Sequence, residues 1–353
     1  MEGYMSSQLK IFQSVKSKKK IYLGIEILRM ILSFFIVVIH FFDKKYAKTK
    51  LLLFPFQALP YYIPTFFIIS FYFNYKTFAS RNITRIKERF LRILIPYFIW
   101  PTIFFIRYHI FNYANGIIEN DKLKNLYYQY LIGDGFHGVF WFQFNLILIS
   151  LFIVIIIFFI KNNHLLIIII IGIIILIFEF FGNIHHFFSK YNHPIKHAVS
   201  TIPSSFIYSI SGFILGYYDI LNYLIKSRIK IISLFFFFFY LILGIKNIWF
   251  LNYKRIIILK IDFISIGLFL FFALFPFDKI KNNIIIFIIK HITSYTGGVY
   301  YLHPEIYSIL RINLNSQKYK RLTGCIINYY FCYLICFFGL KKFKDSKLKY
   351  LFI

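Results

Sequence analysis

Acidic residues and cysteines are scarce in this chain of 353 residues. It has 13 Asp and Glu against 41 Lys and Arg, a formal net charge of +28, and only three cysteines. So few cysteines exclude a disulfide-stapled secreted scaffold, and so few carboxylates exclude an acidic surface. The cysteines stand at spacings of seven and four in the last apolar stretch, on one helical stripe, which favours packing over a metal site or a disulfide. They are Cys325, Cys332 and Cys336.

Apolar surface is what the chain has in excess. Hydrophobic residues make up 59% of the sequence, charged residues 15%, and the mean hydropathy is +0.68. A soluble domain of this length could not keep so much apolar surface from water, so the composition predicts an all-α integral membrane protein. The basic charge then indicates loops beside anionic headgroups, and we expect no nucleic-acid partner.

Stretches of about twenty residues, long enough to cross the hydrocarbon layer, alternate with charged or Pro/Asn/Gly-rich breaks. They predict a polytopic bundle of about ten transmembrane helices, the ninth kinked at Pro304. No internal repeat and no long linker divides the chain, so residues 1–353 are expected to form a single domain. The predicted spans are 21–42, 56–74, 93–111, 139–160, 164–182, 201–218, 230–245, 256–276, 294–312 and 324–340.

The distribution of Lys and Arg predicts the orientation, because these residues accumulate on the cytoplasmic side. The bias is strongest in the loop 74–92 and in the tails 1–20 and 341–353, so both termini are expected to be cytoplasmic. The first apolar run lacks a small-residue cleavage site, which favours an uncleaved span. Four histidines in the loop 183–200 have irregular spacing and no carboxylate or cysteine nearby, so we expect no metal there.

The first span carries three ionisable residues, Glu26, Arg29 and His40. Eleven steps from Arg29 to His40 bring a helix back to within about 20° of its starting direction and raise it by about 16 Å. The two side chains therefore share a face at different depths. Charged groups within a membrane are costly unless they face a bundle interior or a wet cavity. Two interpretations stay open: Arg29 pairs with Glu26 as a structural tie or binds a ligand, and His40 caps the helix or acts in catalysis.

Four stretches in order carry a resemblance to a known family. They are Glu26-Ile27-Leu28-Arg29 with His40; Pro64-Thr65-Phe66-Phe67-Ile68-Ile69-Ser70; Arg89-Phe90-Leu91-Arg92 with Pro96, Tyr97 and Trp100; and Gly298-Val299-Tyr300-Tyr301-Leu302-His303. In this set the chain resembles the acyltransferase-3 family of integral membrane proteins, which move acetyl or other acyl groups onto carbohydrates and related acceptors. Phe71 departs from the pattern, because the family usually has a glycine after the serine.

The resemblance implies roles for individual residues. His40 would be the general base that activates a hydroxyl. Arg89 and Arg92, with Arg29, would bind the phosphates of the donor, because the planar guanidinium donates in pairs. The alternative for the arginines is a positive-inside anchor. Four residues would be supporting or acceptor-side, with packing or interfacial anchoring as the alternative: Glu26, Ser70, Trp141 and His303.

The expected function follows from these roles. The chain would move an acyl group, acetyl being the first choice, from acyl-CoA as co-substrate to a hydroxyl of a cell-surface or lipid-linked carbohydrate. No bound cofactor and no metal is expected, and the partners would be acyl-CoA, the glycan or glycolipid and membrane lipids. We expect a bacterial cytoplasmic membrane. The alternative is a transporter or flippase of a glycan or small solute, which predicts inverted repeats that the sequence does not display.

Overall fold

Helices make up the part of the chain that the structure describes. The computed structural model covers residues 23–41, 50–114, 130–131, 133, 140–159, 195–226, 254–275, 277, 282–313 and 322–353, and these ranges contain no strand. The helices are α1 (Leu23–Phe41), α2 (Lys50–Ala79), α3 (Ile83–Ala114), α4 (Trp141–Phe159), α5 (Ile195–Tyr217), α6 (Ile220–Lys226), α7 (Lys254–Leu274), α8 (Asn283–Thr293), α9 (Thr296–Asn313), α10 (Leu322–Lys342) and a 3₁₀ helix (Lys347–Leu351).

Four of these helices contain stretches long and apolar enough to cross a membrane, and the prediction of an all-α membrane protein is confirmed. The stretches are Leu23–His40, Ile83–Ile110, Trp141–Phe159 and Thr323–Lys342. The total of about ten spans stays a prediction, because the proposed fifth and seventh spans and most of the histidine-containing loop lie outside the described residues.

The helices depart from the predicted spans most clearly at α3 and α8. Helix α3 begins at Ile83, ten residues before the predicted span, because the basic stretch is itself helical and buries Ile86 beneath exposed Arg85 and Lys87. The charged residues therefore shorten the stretch that can cross the membrane, but they do not end the helix. Helix α8 was not predicted; Asn282 caps it by accepting hydrogen bonds from the first free backbone N–H groups. Helix α9 continues through Pro304.

Helix α1 lies between two hydrophobic cores. Its first half contributes Leu28 and Leu32 to a core that also draws on α2, α4, α5 and α7. Its second half contributes Val37 and Val38 to a core formed with α3, α9, α10 and the 3₁₀ helix. Because this helix packs in both cores, its residues before His40 are buried or half-buried, and His40 at its end is exposed.

Glycine brings α2 and α5 into close contact. A Cβ atom at Gly212 would lie 2.3 Å from the carbonyl oxygen of Ile68, so only glycine fits there. Nearby, Phe71 is fully buried and stacks on Phe78 at 6.0 Å within an unbroken helix. The departure from the family's glycine is thus accommodated by packing, without a change in backbone conformation.

Candidate active site

Polar residues of α1 face the pair formed by α9 and α10. Arg29 donates to Glu26 at 3.0 Å and to the Thr296 hydroxyl of α9 at 3.1 Å. One turn later, the Ser33 hydroxyl lies 2.9 Å from the Tyr329 hydroxyl of α10. The structure therefore places a polar seam along α1, and Arg29 is a tie between two helices.

The far end of this seam brings two histidines together. The rings of His40 and His303 are 5.2 Å apart, centre to centre, at an angle of 41°. His303 is fully buried and its Nδ1 lies 3.3 Å from the Val299 carbonyl oxygen, whereas His40 is exposed at the end of α1. The contact between the rings can restrict the orientation of the His40 imidazole, and an imidazole is a side chain that can take up a proton near neutral pH.

Aromatic rings line the approach to the histidine pair. Phe67 of α2 lies 4.5 Å from Phe142 of α4, which lies 5.5 Å from Tyr300, and Tyr300 lies 5.9 Å from His303. Trp141 is partly buried beside Phe142 in the first turn of α4. Trp141 therefore lies beside this row of aromatic rings, next in sequence to Phe142, whose ring contacts Tyr300 of α9.

The two arginines predicted to act together are separated by their partners. Arg89 is partly buried and donates to the Ser70 hydroxyl of α2 at 2.7 Å, while its buried Nε has no hydrogen-bond partner among the described residues. Arg92 is exposed and its guanidinium lies 5.7 Å above the Tyr350 ring. Arg89 and Ser70 thus meet inside the bundle, and Arg92 lies at the surface.

Polar side chains from α3 and α10 hold α9 near His303. Asn328 of α10 is fully buried and donates to the His303 carbonyl at 3.1 Å. Arg107 of α3 forms an ion pair with buried Glu305 and donates to Ser308 at 3.1 Å. The sequence held a signal for Glu305 and Arg107, since a charged residue within an apolar span is itself a functional hypothesis; their pairing depends on which helices become neighbours.

A buried carboxylate lies on the other side of the bundle. Asp262 of α7 accepts a hydrogen bond from Ser211 of α5 at 2.7 Å. It belongs to no metal-ligand cluster, since no three His, Cys, Asp or Glu side chains lie together in the described ranges.

The cysteines of α10 are buried in the second core and form no disulfide with one another. There, Cys332 contacts the Asn328 side-chain oxygen at 3.3 Å.

Comparison with known proteins gives one match. The family model described as "Acyltransferase domain", that of the acyltransferase-3 family, matches residues 22–340. This range runs from the start of α1 almost to the end of α10 and includes every residue of the polar seam. No curated protein and no solved structure matches the chain.

Proposed function

Because the chain belongs to the acyltransferase-3 family and is a membrane acyltransferase, we propose that it transfers an acyl group, acetyl in the first instance, from acyl-CoA to a hydroxyl of a cell-surface or lipid-linked carbohydrate. The observation that carries this proposal is the pairing of His40 with His303 at the end of the polar seam. An alcohol is a weak nucleophile until a base removes its proton, and a neutral imidazole can do so near neutral pH.

In the proposed reaction His40 accepts the proton of the acceptor hydroxyl as its oxygen bonds to the thioester carbonyl carbon. The carbon–sulfur bond then breaks, and the proton passes to the departing thiolate, so that an ester and a free thiol result. His303 positions His40 through the ring contact. Asn328 and the Arg107–Glu305 ion pair support this role, because they fix α9 at the His303 carbonyl and two residues further along the helix.

Arg89 and Arg92 are the proposed contacts for the donor phosphates. Arg89 supports this role because its guanidinium has a buried nitrogen with no partner in the described part of the chain, and a charged donor left so gains from an anionic acceptor. Arg92 would act at the surface. Arg29 already donates to Glu26 and Thr296, which favours the structural tie over donor binding.

We further propose that both termini are cytoplasmic and that the membrane is a bacterial cytoplasmic membrane. The basic residues support the orientation. The Arg92–Tyr350 contact places exposed Lys347 and half-buried Lys349 near the first turns of α3, which carry exposed Arg85. Two basic stretches thus share one end of the bundle, as expected of a cytoplasmic face. The donor would bind at this end, and the acceptor would reach His40 from the other.

Substitution of His40 tests the proposal. In membranes supplied with labelled acetyl-CoA, we expect His40→Ala to reduce label on glycan by about 10²-fold or more, the usual value of a general base. His303→Ala should reduce the rate less, because the base itself remains. His291→Ala is the matched control, since this histidine lies on α8 beside Phe287 and Tyr295, and it should leave the rate unchanged. Full activity of His40→Ala would overturn the assignment.

A further inference from the structure

Four helices meet around Arg89, and each contributes a polar side chain there. Arg89 of α3 donates to Ser70 of α2 at 2.7 Å and interacts electrostatically with Tyr301 of α9. The Tyr301 hydroxyl lies next to the side chain of Gln143 on α4. We call these four residues the Arg89 cluster. Polar groups within a membrane protein face one another or a cavity rather than lipid.

The cluster lies at an opening between these helices. Arg89, Tyr300 and Tyr301 are deep in the bundle, yet each keeps part of its surface accessible, as Ser70 does. A side chain so far inside stays accessible only where the surrounding helices leave a gap. His40 combines a deep position with an exposed ring in the same way. The bundle is therefore open both at the cluster and at the proposed base.

Gln143 presents a buried hydrogen-bond acceptor that the described part of the chain leaves unused. The residue is fully buried, and its Nε2 donates to the Ile93 carbonyl of α3 at 3.4 Å. Its Oε1 has no hydrogen-bond partner among the described residues. Burial of an amide oxygen without a donor lowers stability, because the group loses its hydrogen bonds to water. This acceptor therefore favours a ligand that brings an N–H or O–H group.

The cluster connects with the histidine pair through α4 and α9. Gln143 follows Phe142, whose ring contacts the Tyr300 ring at 5.5 Å. The Tyr300 ring also contacts Tyr301 at 5.8 Å and His303 at 5.9 Å. Around the helix axis Tyr300 lies between these two residues, about 100° from Tyr301 and about 60° from His303 on the other side. The contacts thus form one path from the cluster to the histidine pair.

The order of groups along this path matches the donor of the proposed reaction. Acyl-CoA carries anionic phosphates at one end and the thioester at the other, and the pantetheine arm between them has two amide N–H groups. We propose that this arm lies between α4 and α9 and that the Oε1 atom of Gln143 accepts a hydrogen bond from one of its amide N–H groups. The phosphates are then on Arg89 and the thioester is at His40. This inference deepens the proposed use of acyl-CoA and rests on it.

Analogues of acetyl-CoA test the contact in the unaltered protein. In each of two analogues, an ester oxygen replaces one amide N–H of the arm, which keeps the length of the chain but removes the donor. We expect one of the two analogues to have a KM about three- to tenfold above that of acetyl-CoA, the value of one hydrogen bond, with little change in kcat. Equal KM values for all three compounds would overturn the proposal.

The same comparison in Gln143→Met tests the partner of this amide. Methionine keeps the length of the side chain but offers only a weak acceptor, so the KM for acetyl-CoA should rise by the same factor and the difference between acetyl-CoA and the analogue should disappear. A loss of stability alone would not remove this difference. Asn145→Met is the matched control, because Asn145 is also a buried amide of α4 but donates to Thr201 and Ser205 of α5. It should keep the difference in full.

The results separate this inference from the proposed function. A Gln143→Met protein that still distinguishes the analogue from acetyl-CoA would show that the arm binds elsewhere, while loss of transfer in His40→Ala would keep the acyltransferase assignment. A chain that transfers nothing from acetyl-CoA also overturns the arm site. In that case His40-dependent transfer from another acyl donor would leave the acyltransferase function standing.

Discussion

Among the described residues, the guanidinium of Arg89 has one hydrogen-bond acceptor, the Ser70 hydroxyl of α2 at 2.7 Å. A partly buried guanidinium lowers the stability of the fold unless its other N–H groups also find hydrogen-bond acceptors. A phosphate oxygen of the donor would satisfy the buried Nε. The contact with Ser70 then fixes the direction of the guanidinium fork, and this orientation is what a lysine could not reproduce.

We therefore expect Arg89→Lys to raise the KM for acetyl-CoA about tenfold, the value of one lost hydrogen bond to a charged group, with little change in kcat. Arg85→Lys is the control, because Arg85 is exposed on the same helix. Steady-state kinetics on purified protein separates the two constants. A fall in stability with an unchanged KM would make Arg89 a scaffold residue instead.

Among the helices, α9 is the element that assembles the site. Three of its residues contact other helices: Thr296 accepts a hydrogen bond from Arg29, His303 contacts the His40 ring, and Glu305 pairs with Arg107. These contacts come from α1 and α3 on different sides of the helix. The position of His303 therefore depends on how α9 is fixed as a whole.

The Arg107–Glu305 pair should contribute strongly to that fixing. Removal of one partner from a buried pair is costly, but Arg107 is about a third exposed, so we expect Glu305→Met to destabilise the protein by about 2 kcal/mol. The Arg107→Met, Glu305→Met double variant should recover most of this loss, because no unpaired charge remains. Thermal unfolding in detergent measures the cycle, and additive losses would show that the pair does not couple α3 to α9.

Local periodicity was enough to predict the shared face of α1, since Arg29 and His40 both point at α9. It was not enough to predict the pairing of His40 with His303, because that depends on which helices become neighbours. Arg89 and Arg92 diverge for the same reason: Ser70 and Tyr350, on other elements, draw their side chains apart. Helix α8 was missed because its short apolar run resembled a loop between spans.

At the scale of the whole molecule, α1 connects two cores and its polar seam runs from Arg29 to His40. Basic residues of α3 and of the 3₁₀ helix lie together at one end of the bundle, beside Arg92, and His40 and His303 lie toward the other end of α1. This separation is the basis for the proposal that donor and acceptor arrive from opposite sides of the membrane.

Sided transfer in proteoliposomes tests this most directly, with the purified protein in one orientation, labelled acetyl-CoA on the face that carries Arg92 and Tyr350 and the carbohydrate acceptor on the other. We expect the acceptor to become labelled by the unaltered protein and the rate to fall about 10²-fold or more in His40→Ala. Transfer only when both substrates share one face, or transfer that persists in His40→Ala, would contradict the proposed mechanism.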